Sequence, residues 1–217
     1  MSEQKFSDYY TQGLKTQNKK NIEKVKELSQ LILAGSPLKG ECKKLITKIE
    51  NHLSRFGMDL DVNTALSIIV ASDLTASLFA MPASKQNMSE ALQKKFLSEK
   101  NVCVNKLPGM GPNAIRLMDG SLIKGDDRGG KATKSMDFLG EKGEYIFAKV
   151  TVGSGGGQDN QYRDVLDFLK EAQRYDKKHG DKQFVALVDG DYYTHKKIAS
   201  LNEYASPNIR ITTSDEY

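Results

Sequence analysis

The stretch EYIFAKVTVGSGGGQDNQYRDVLDFLKEA, residues 144–172, decides the fold of this 217-residue chain. It opens with an apolar run typical of a β-strand, passes through a glycine cluster and ends in apolar residues at helical spacing. Lys149 interrupts the apolar run, and the polar residues QDNQ stand where the helix begins. The simplest interpretation is an edge strand followed by a turn. The alternative is an active site at the end of the strand.

The segments on either side of this stretch predict an α/β core. The pair Asp119-Gly120 supplies the positive φ angles of a type I′ turn and predicts a hairpin. Farther along, the chain alternates helix and strand, an order that builds a mixed sheet with helices packed on it. We predict a helix at 84–100, strands at 102–107, 135–139 and 145–152, a helix at 160–178, a strand in FVALVDG, a helix at 194–204 and a last strand in NIRITT.

The N-terminal part of the chain predicts helices only. Apolar residues recur at helical spacing in residues 19–33, Pro37 suits the first turn of a second helix, and Asp61 is placed to cap a third, strongly apolar one. We therefore expect an N-terminal helical region, residues 1–82, that serves as a packing or dimerisation layer. Residues 83–217 are expected to form an α/β core with a mixed central β-sheet flanked by helices, and the two regions to make one compact structural unit.

The composition excludes several functional classes. Two cysteines without CxxC spacing and three scattered histidines argue against a zinc site or a disulfide framework and fit a reducing cytoplasm. No apolar run approaches the length of a membrane span and the N-terminus is polar, so we expect neither a signal peptide nor a membrane anchor. The net charge of +4 and a pI near 8.8 are compatible with a polyanionic partner.

The glycine cluster GSGGG, residues 153–157, is open to two interpretations. A glycine loop between a strand and a helix can cradle a phosphate, which makes a nucleotide-binding α/β protein one alternative. A P-loop, however, ends in Gly-Lys-Ser/Thr, and a dinucleotide-binding loop spaces its glycines as G-x-G-x-x-G, and neither pattern is present. In the other interpretation the glycines let the chain turn tightly.

The segment LVDGDYYTHKK offers a second group of polar residues. Asp189, Asp191 and His195 form either an acidic metal site or the polar exit of a core strand. The second interpretation is favoured, with Asp191 or Thr194 as the cap of the next helix.

Two charged residues of opposite sign lie in neighbouring predicted strands. Asp137 is flanked by apolar residues in SMDFL, and Lys149 by apolar residues in YIFAKVTV. Burying either charge is costly unless it is paired or bound to a metal. The two side chains therefore form a salt bridge, or they supply the carboxylate that anchors Mg²⁺ and the lysine that stabilises the charge on a reacting phosphate.

The order of a helix, a three-stranded meander, a helix and a strand, with Asp137 on the second strand of the meander and Lys149 on the third, resembles the PD-(D/E)xK nuclease superfamily. The short length and helical N-terminus are similar to those of a type II restriction endonuclease. The resemblance covers residues 84–188, roughly half of the chain. Asp137 stands in place of the motif's first aspartate, with Met136 where the motif has proline, and Lys149 in place of the motif lysine.

Two further elements carry the same resemblance. Gln158 and Tyr162, in QDNQY, resemble a Q-x-x-x-Y element that opens the following helix in some nuclease branches. Glu90 resembles the glutamate that an N-terminal helix contributes to the site in many restriction enzymes.

The resemblance implies Mg²⁺-dependent hydrolysis of phosphodiester bonds in double-stranded DNA at a specific short site, by a homodimer in the cytoplasm of a bacterial or archaeal cell. It implies that Asp137 and a second carboxylate, Glu90 or Asp159, hold the metal, and that Lys149 orients or deprotonates the nucleophile. The expected DNA contacts are the amides Gln158, Asn160 and Gln161 and the cationic residues Arg128, Lys131 and Lys134 of a glycine-rich loop. An alternative role for the amides is N-capping and surface hydrogen bonding. The alternative for the loop is an ordinary flexible connection without a DNA contact.

One position departs from the family's pattern. The family places an acidic residue two positions before the lysine, where this chain has Phe147. Either the second carboxylate comes from elsewhere, or Lys149 itself occupies the place of the acid and Thr151 that of the lysine. The second alternative implies a catalytically inactive, DNA-binding form. Strand alternation places Lys149 and Thr151 on one face in both cases.

Overall fold

The computed structural model describes residues 5–83, 88–125, 132–153 and 156–217. The described chain is mixed α/β, as predicted, with seven helices and seven strands. In chain order these are α1 (Phe6–Leu33), α2 (Gly40–Arg55), α3 (Val62–Ala71), α4 (Asp73–Phe79), α5 (Ser89–Glu99), β1 (Val104–Lys106), β2 (Ile115–Met118), β3 (Ser121–Lys124), β4 (Phe138–Gly140), β5 (Tyr145–Val150), α6 (Gly156–Lys178), β6 (Phe184–Asp189), α7 (His195–Asn202) and β7 (Ile209–Thr212).

Five strands form one mixed sheet in the order β1-β4-β5-β6-β7. The pairs β1/β4 and β4/β5 are antiparallel, whereas β5/β6 and β6/β7 are parallel. The parallel pairs need crossover connections, and α6 and α7 supply them. The hairpin β2–β3 forms a separate two-stranded sheet. Asp119 and Gly120 at its turn have φ angles of 49° and 65°, which confirms the predicted type of turn.

Apolar side chains cover both faces of the five-stranded sheet. On one face, Phe147 of β5 packs with Val165 and Phe168 of α6. On the other face, Ile146 and Ala148 of β5 pack with Leu97 of α5. Every residue of β6 is buried, as expected for a strand inside a parallel arrangement. The central strands are therefore fixed from both sides.

The chain separates into two compact units, one made of Met1–Tyr10 and Ser89–Tyr217 and the other of Thr11–Met88. The second unit is helical, with Leu45, Ile49, Leu66 and Ile69 in its core. Asp61 caps α3 as predicted, since its carboxylate accepts hydrogen bonds from the backbone of the first turn. Among the described helices, none has the length and apolar character needed to cross a membrane.

Four predicted helices differ from the observed ones. The second begins at Gly40, with Lys39 at its N-cap, so Pro37 lies before the helix and not in its first turn. The helix expected at 19–33 begins earlier, at Phe6. The apolar helix after Asp61 is interrupted at Ser72, whose hydroxyl accepts a hydrogen bond from Thr75 N and so caps α4. The helix expected at 160–178 starts at Gly156, so part of the glycine cluster belongs to its first turn.

Candidate functional site

Asp137 lies immediately before β4, between β1 and β5. Its backbone N–H donates to Ile146 O at 2.9 Å, and its carbonyl accepts from Leu107 N at 2.9 Å. Its side chain is only 8% exposed, and Oδ2 accepts from the buried N–H of Ala148 at 2.8 Å. The main chain of two neighbouring strands therefore fixes this carboxylate within the sheet.

Burial raises the pKa of Asp137 above its ordinary value, since desolvation penalises the charged form. The positive charge of Lys149, the Ala148 N–H and the charge of Lys106 act in the opposite direction. Burial outweighs all three. The carboxyl group of Asp137 therefore holds its proton more tightly than a solvated aspartate does.

Lys149 follows Ala148 on β5 and is half-buried. Its Nζ lies 4.7 Å from the centroid of the Phe147 ring. Phe147 is fully buried, and its ring is stacked on Phe168 of α6, with centroids 4.9 Å apart and an angle of 17° between the rings. Position 147 is therefore an apolar core position, where a carboxylate would lose its hydration without a partner.

Lys106, the last residue of β1, also belongs to this group, and nothing in the sequence marked it. Register places it opposite Phe138, the residue after Asp137. Its ammonium contacts the carboxylate of Glu90 in the first turn of α5, and its charge acts on Asp137. The structure thus pairs Lys106 with Glu90 beside α5 and brings the charge of Lys106 to bear on Asp137. Only knowledge of the β1/β4 pairing reveals this, because the two strands are far apart in the sequence.

The polar residues that open α6 bind the end of β5. Gln158 Nε2 donates to Val152 O at 3.1 Å, and Gln161 Oε1 accepts from the Thr151 hydroxyl at 2.8 Å. The carboxylate of Asp159 accepts from the hydroxyl of Tyr192. The predicted metal and DNA roles of these side chains therefore compete with intrachain hydrogen bonds.

The other residues predicted to contact DNA are Asn160, Lys134, Arg128 and Lys131. Asn160 is exposed, and none of the side-chain hydrogen bonds among the described residues involves it. Lys134 is exposed in the segment that leads to Asp137. Arg128 and Lys131 lie outside the described residues. Of the predicted contacts in the described chain, Asn160, Gln161 and Lys134 are thus exposed, and Gln161 is engaged with Thr151.

Asp189 ends β6 and is 4% exposed. Its carboxylate accepts from Gln93 Nε2 at 2.7 Å, from Ser214 N at 2.9 Å and from the Ser214 hydroxyl at 2.6 Å. Burial raises its pKa, and these three donors act against that rise. The donors make Asp189 a structural connection between β6, α5 and the C-terminal segment.

Asp191 does not cap α7 as the sequence suggested. Its carboxylate accepts from Gly153 N at 2.7 Å and holds the turn after β5. Thr194 occupies the N-cap position of α7, without a side-chain hydrogen bond to the helix. The acidic residues after β6 thus support the turn and the sheet.

The fit of a divalent cation is best judged at Asp137. One of its oxygens accepts the Ala148 N–H, and none of the hydrogen bonds among the described residues reaches the other, Oδ1. Glu90 and Asp159 are oxygen donors of the kind that Mg²⁺ prefers, each engaged with a side chain of this chain. Within the described ranges, no three Asp, Glu, His or Cys side chains converge as a metal-binding group. Asp137 thus offers one carboxylate oxygen to an ion, while Glu90 and Asp159 are each held by another partner.

Comparison with known proteins adds no relative to this description. No protein-family model, no curated protein and no solved structure matches the chain.

Proposed function

We propose that this protein is a type II restriction endonuclease-like enzyme that hydrolyses phosphodiester bonds in double-stranded DNA at a specific short site, with Mg²⁺ as its cofactor. The observation that carries the proposal is the buried carboxylate of Asp137, which accepts the N–H of Ala148, the residue before Lys149 on β5. A carboxylate at the start of one strand, with a lysine on the next, is the pair on which the resemblance to the PD-(D/E)xK superfamily rests.

The topology of the sheet supports the same proposal. An antiparallel β1-β4-β5 arrangement is followed by α6 and by the parallel strand β6. The β2–β3 hairpin is inserted between β1 and β4; apart from this insertion, the arrangement is compatible with the meander, helix and strand that the resemblance implies. We further propose that the enzyme acts as a homodimer, because a two-fold protein matches a two-fold DNA site, and that it works in the cytoplasm.

The roles of the residues follow from their positions. When bound, Mg²⁺ activates a water molecule and stabilises the charge that develops on the phosphate. Asp137 would hold the ion through Oδ1, and a second carboxylate, from Glu90 or Asp159, would complete the site. Lys149 neutralises charge beside the attacked phosphate and orients the nucleophile. The Ala148 N–H keeps the Asp137 carboxylate in one orientation.

A second candidate function is a catalytically inactive form that binds DNA. It is favoured by the apolar surroundings of Phe147, which make position 147 unsuitable for an acid, whereas position 149 is adjacent to Asp137. In this alternative Lys149 occupies the place of the second carboxylate. Thr151, which is 1% exposed and donates to Gln161, occupies the place of the lysine.

Plasmid cleavage with Mg²⁺ distinguishes the two candidates. The wild-type protein is compared with Lys149→Glu and with a control, Lys142→Glu, which makes the same charge change in the turn at the other end of the β4–β5 hairpin. Cleavage by wild type and by the control, lost in Lys149→Glu, supports the active enzyme. Cleavage by Lys149→Glu alone supports the inactive form. Protein that neither cuts nor binds duplex DNA contradicts both.

A further inference from the structure

A cleft in the helical unit lies between α1, α2 and the end of α4. Its volume is about 380 Å³, a size typical of the clefts in which proteins bind small molecules. All of its lining belongs to the Thr11–Met88 unit, whereas Asp137 and Lys149 belong to the other unit. The chemistry of the cleft is therefore independent of the proposed nuclease activity.

The lining includes five apolar side chains, those of Val25, Leu28, Leu45, Phe79 and Met81. Val25 and Phe79 are buried, whereas Met81 is 52% exposed and Leu28 is half-buried. Removing apolar surface of this kind from water is favourable. The cleft therefore offers hydrophobic contact to the apolar body of a ligand.

Two side-chain hydrogen bonds connect the walls of the cleft. Asn21 Nδ2, on α1, donates to the carbonyl of Met81 at 2.7 Å. Lys48 Nζ, on α2, donates to the carbonyl of Phe79 at 3.3 Å. Both acceptors lie at or just after the end of α4, so this part of the chain is joined to both neighbouring helices. The cleft is thus formed by three connected elements without a ligand.

The charged residues of the lining are three lysines and one glutamate, namely Lys24, Lys44, Lys48 and Glu41. Three positive charges and one negative charge leave the cleft with a formal net charge of +2. Lys24 is paired with Glu41 at 2.6 Å, and Lys48 donates to a backbone carbonyl. Lys44 is exposed and makes no hydrogen bond or ion pair with any residue that the structure describes. Its ammonium is therefore available to an anionic group.

We propose that this cleft binds a small amphipathic anion, a molecule with an apolar body and a carboxylate, sulfonate or phosphate group. The apolar body would cover Met81 and Leu28, and the anionic group would meet the ammonium of Lys44. A DNA backbone would use the ammonium but leave the apolar lining in water. A neutral apolar compound would leave the positive charge without a partner. Only a ligand with both properties is complementary to the whole cleft.

Fluorescence titration with anilinonaphthalene sulfonate tests the site, because this dye is an aromatic anion that emits more strongly in apolar surroundings. Lys44→Gln removes the charge and should weaken dye binding about fivefold, whereas Lys44→Arg should bind like wild type. The matched control is Lys43→Gln, which removes the same charge from the neighbouring residue of α2, outside the cleft; it should leave the affinity unchanged. The neutral analogue phenylnaphthylamine should be weakened by Met81→Gln and not by Lys44→Gln.

Competition with the dye identifies the class of ligand. Octanoate carries a carboxylate on an apolar chain and should displace the dye, whereas acetate, with the charge alone, should not. Unchanged dye affinity in both Lys44→Gln and Met81→Gln, or an equal loss in Lys43→Gln, would overturn the proposal. Displacement by duplex DNA but not by octanoate would show that the lysines bind phosphates of DNA instead. Dye affinity that falls as the protein concentration rises would show that a second copy of the chain covers the cleft, and would also overturn the proposal.

Discussion

Two substitutions, Asp137→Asn and Asp137→Ala, test whether the Asp137 carboxylate binds a cation or stabilises the fold through a salt bridge. The amide oxygen of Asn can still accept from Ala148 N, which Asp137 Oδ2 meets at 2.8 Å. Alanine leaves this buried N–H without a partner, a loss of about 1–3 kcal/mol. At pH 7 we expect Asp137→Asn to be at least as stable as wild type, and Asp137→Ala to be less stable than Asp137→Asn by that amount.

The pH dependence has a defined sign. Burial raises the pKa of Asp137 in the folded state, so the folded protein holds this proton more tightly than the unfolded chain does. The resulting stability is present below the unfolded pKa and is lost as the pH rises through the raised, folded pKa. The stability of Asp137→Asn relative to wild type should therefore increase from acidic to neutral pH. Both substitutions should abolish DNA cleavage, because the charge that holds the metal is gone.

Urea denaturation followed by circular dichroism, in EDTA at pH 3.5 and pH 7, measures these differences. The wild-type protein in the same buffers is the reference. If Asp137→Asn loses as much stability as Asp137→Ala at pH 7, the ionised carboxylate stabilises the fold. Asp137 and Lys149 are then a structural salt bridge, and the reasoning that leads to a metal site is refuted.

Two further predictions concern the fold around the site. Phe147→Ala should lower the free energy of unfolding by about 3–5 kcal/mol, because it leaves a cavity beneath the ring of Phe168. Urea denaturation measures this loss. A loss below about 1 kcal/mol would contradict the assignment of position 147 to the core. Gly190→Ala should cost more than about 4 kcal/mol, since its Cβ would lie 2.1 Å from Thr151 O and the φ angle is +104°. Gly143→Ala is its control, with φ +82° and open space around the Cβ, and should lower the free energy of unfolding by only about 1–2 kcal/mol. If the two substitutions cost the same stability, the close approach of Gly190 to Thr151 does not matter.

The α/β class and most elements could be predicted because their signals are local. The alternation of apolar residues, the Asp119-Gly120 turn and the Asp61 cap each act within a few residues. The break at Ser72 was missed because the apolar residues continue across it, although the serine and the following aspartate resemble a helix start. The early start of α1 depends on Phe6, which packs on Phe96 with ring centroids 5.3 Å apart. No local pattern contains that contact.

In the candidate site, too, local relations could be predicted from the sequence and long-range contacts could not. Asp137 and Lys149 could be paired from the sequence because a short turn joins their strands. Lys106 could not, because its strand pairs with β4 across a long segment that contains the separate β2–β3 hairpin. The polar partners of Gln158 and Gln161 likewise depend on how α6 returns to the end of β5.

The candidates for the second metal-binding carboxylate differ in the free energy that each would lose by leaving its present partners. Asp189 would leave three short hydrogen bonds in a buried place, each worth about 1.5–3 kcal/mol when one partner is charged. Asp159 would leave the hydroxyl of Tyr192, a residue only 7% exposed. Glu90 would leave only Lys106, in a partly exposed pair worth about 0–1 kcal/mol. Of the three acids, Glu90 would therefore be released from its present partner at the lowest cost.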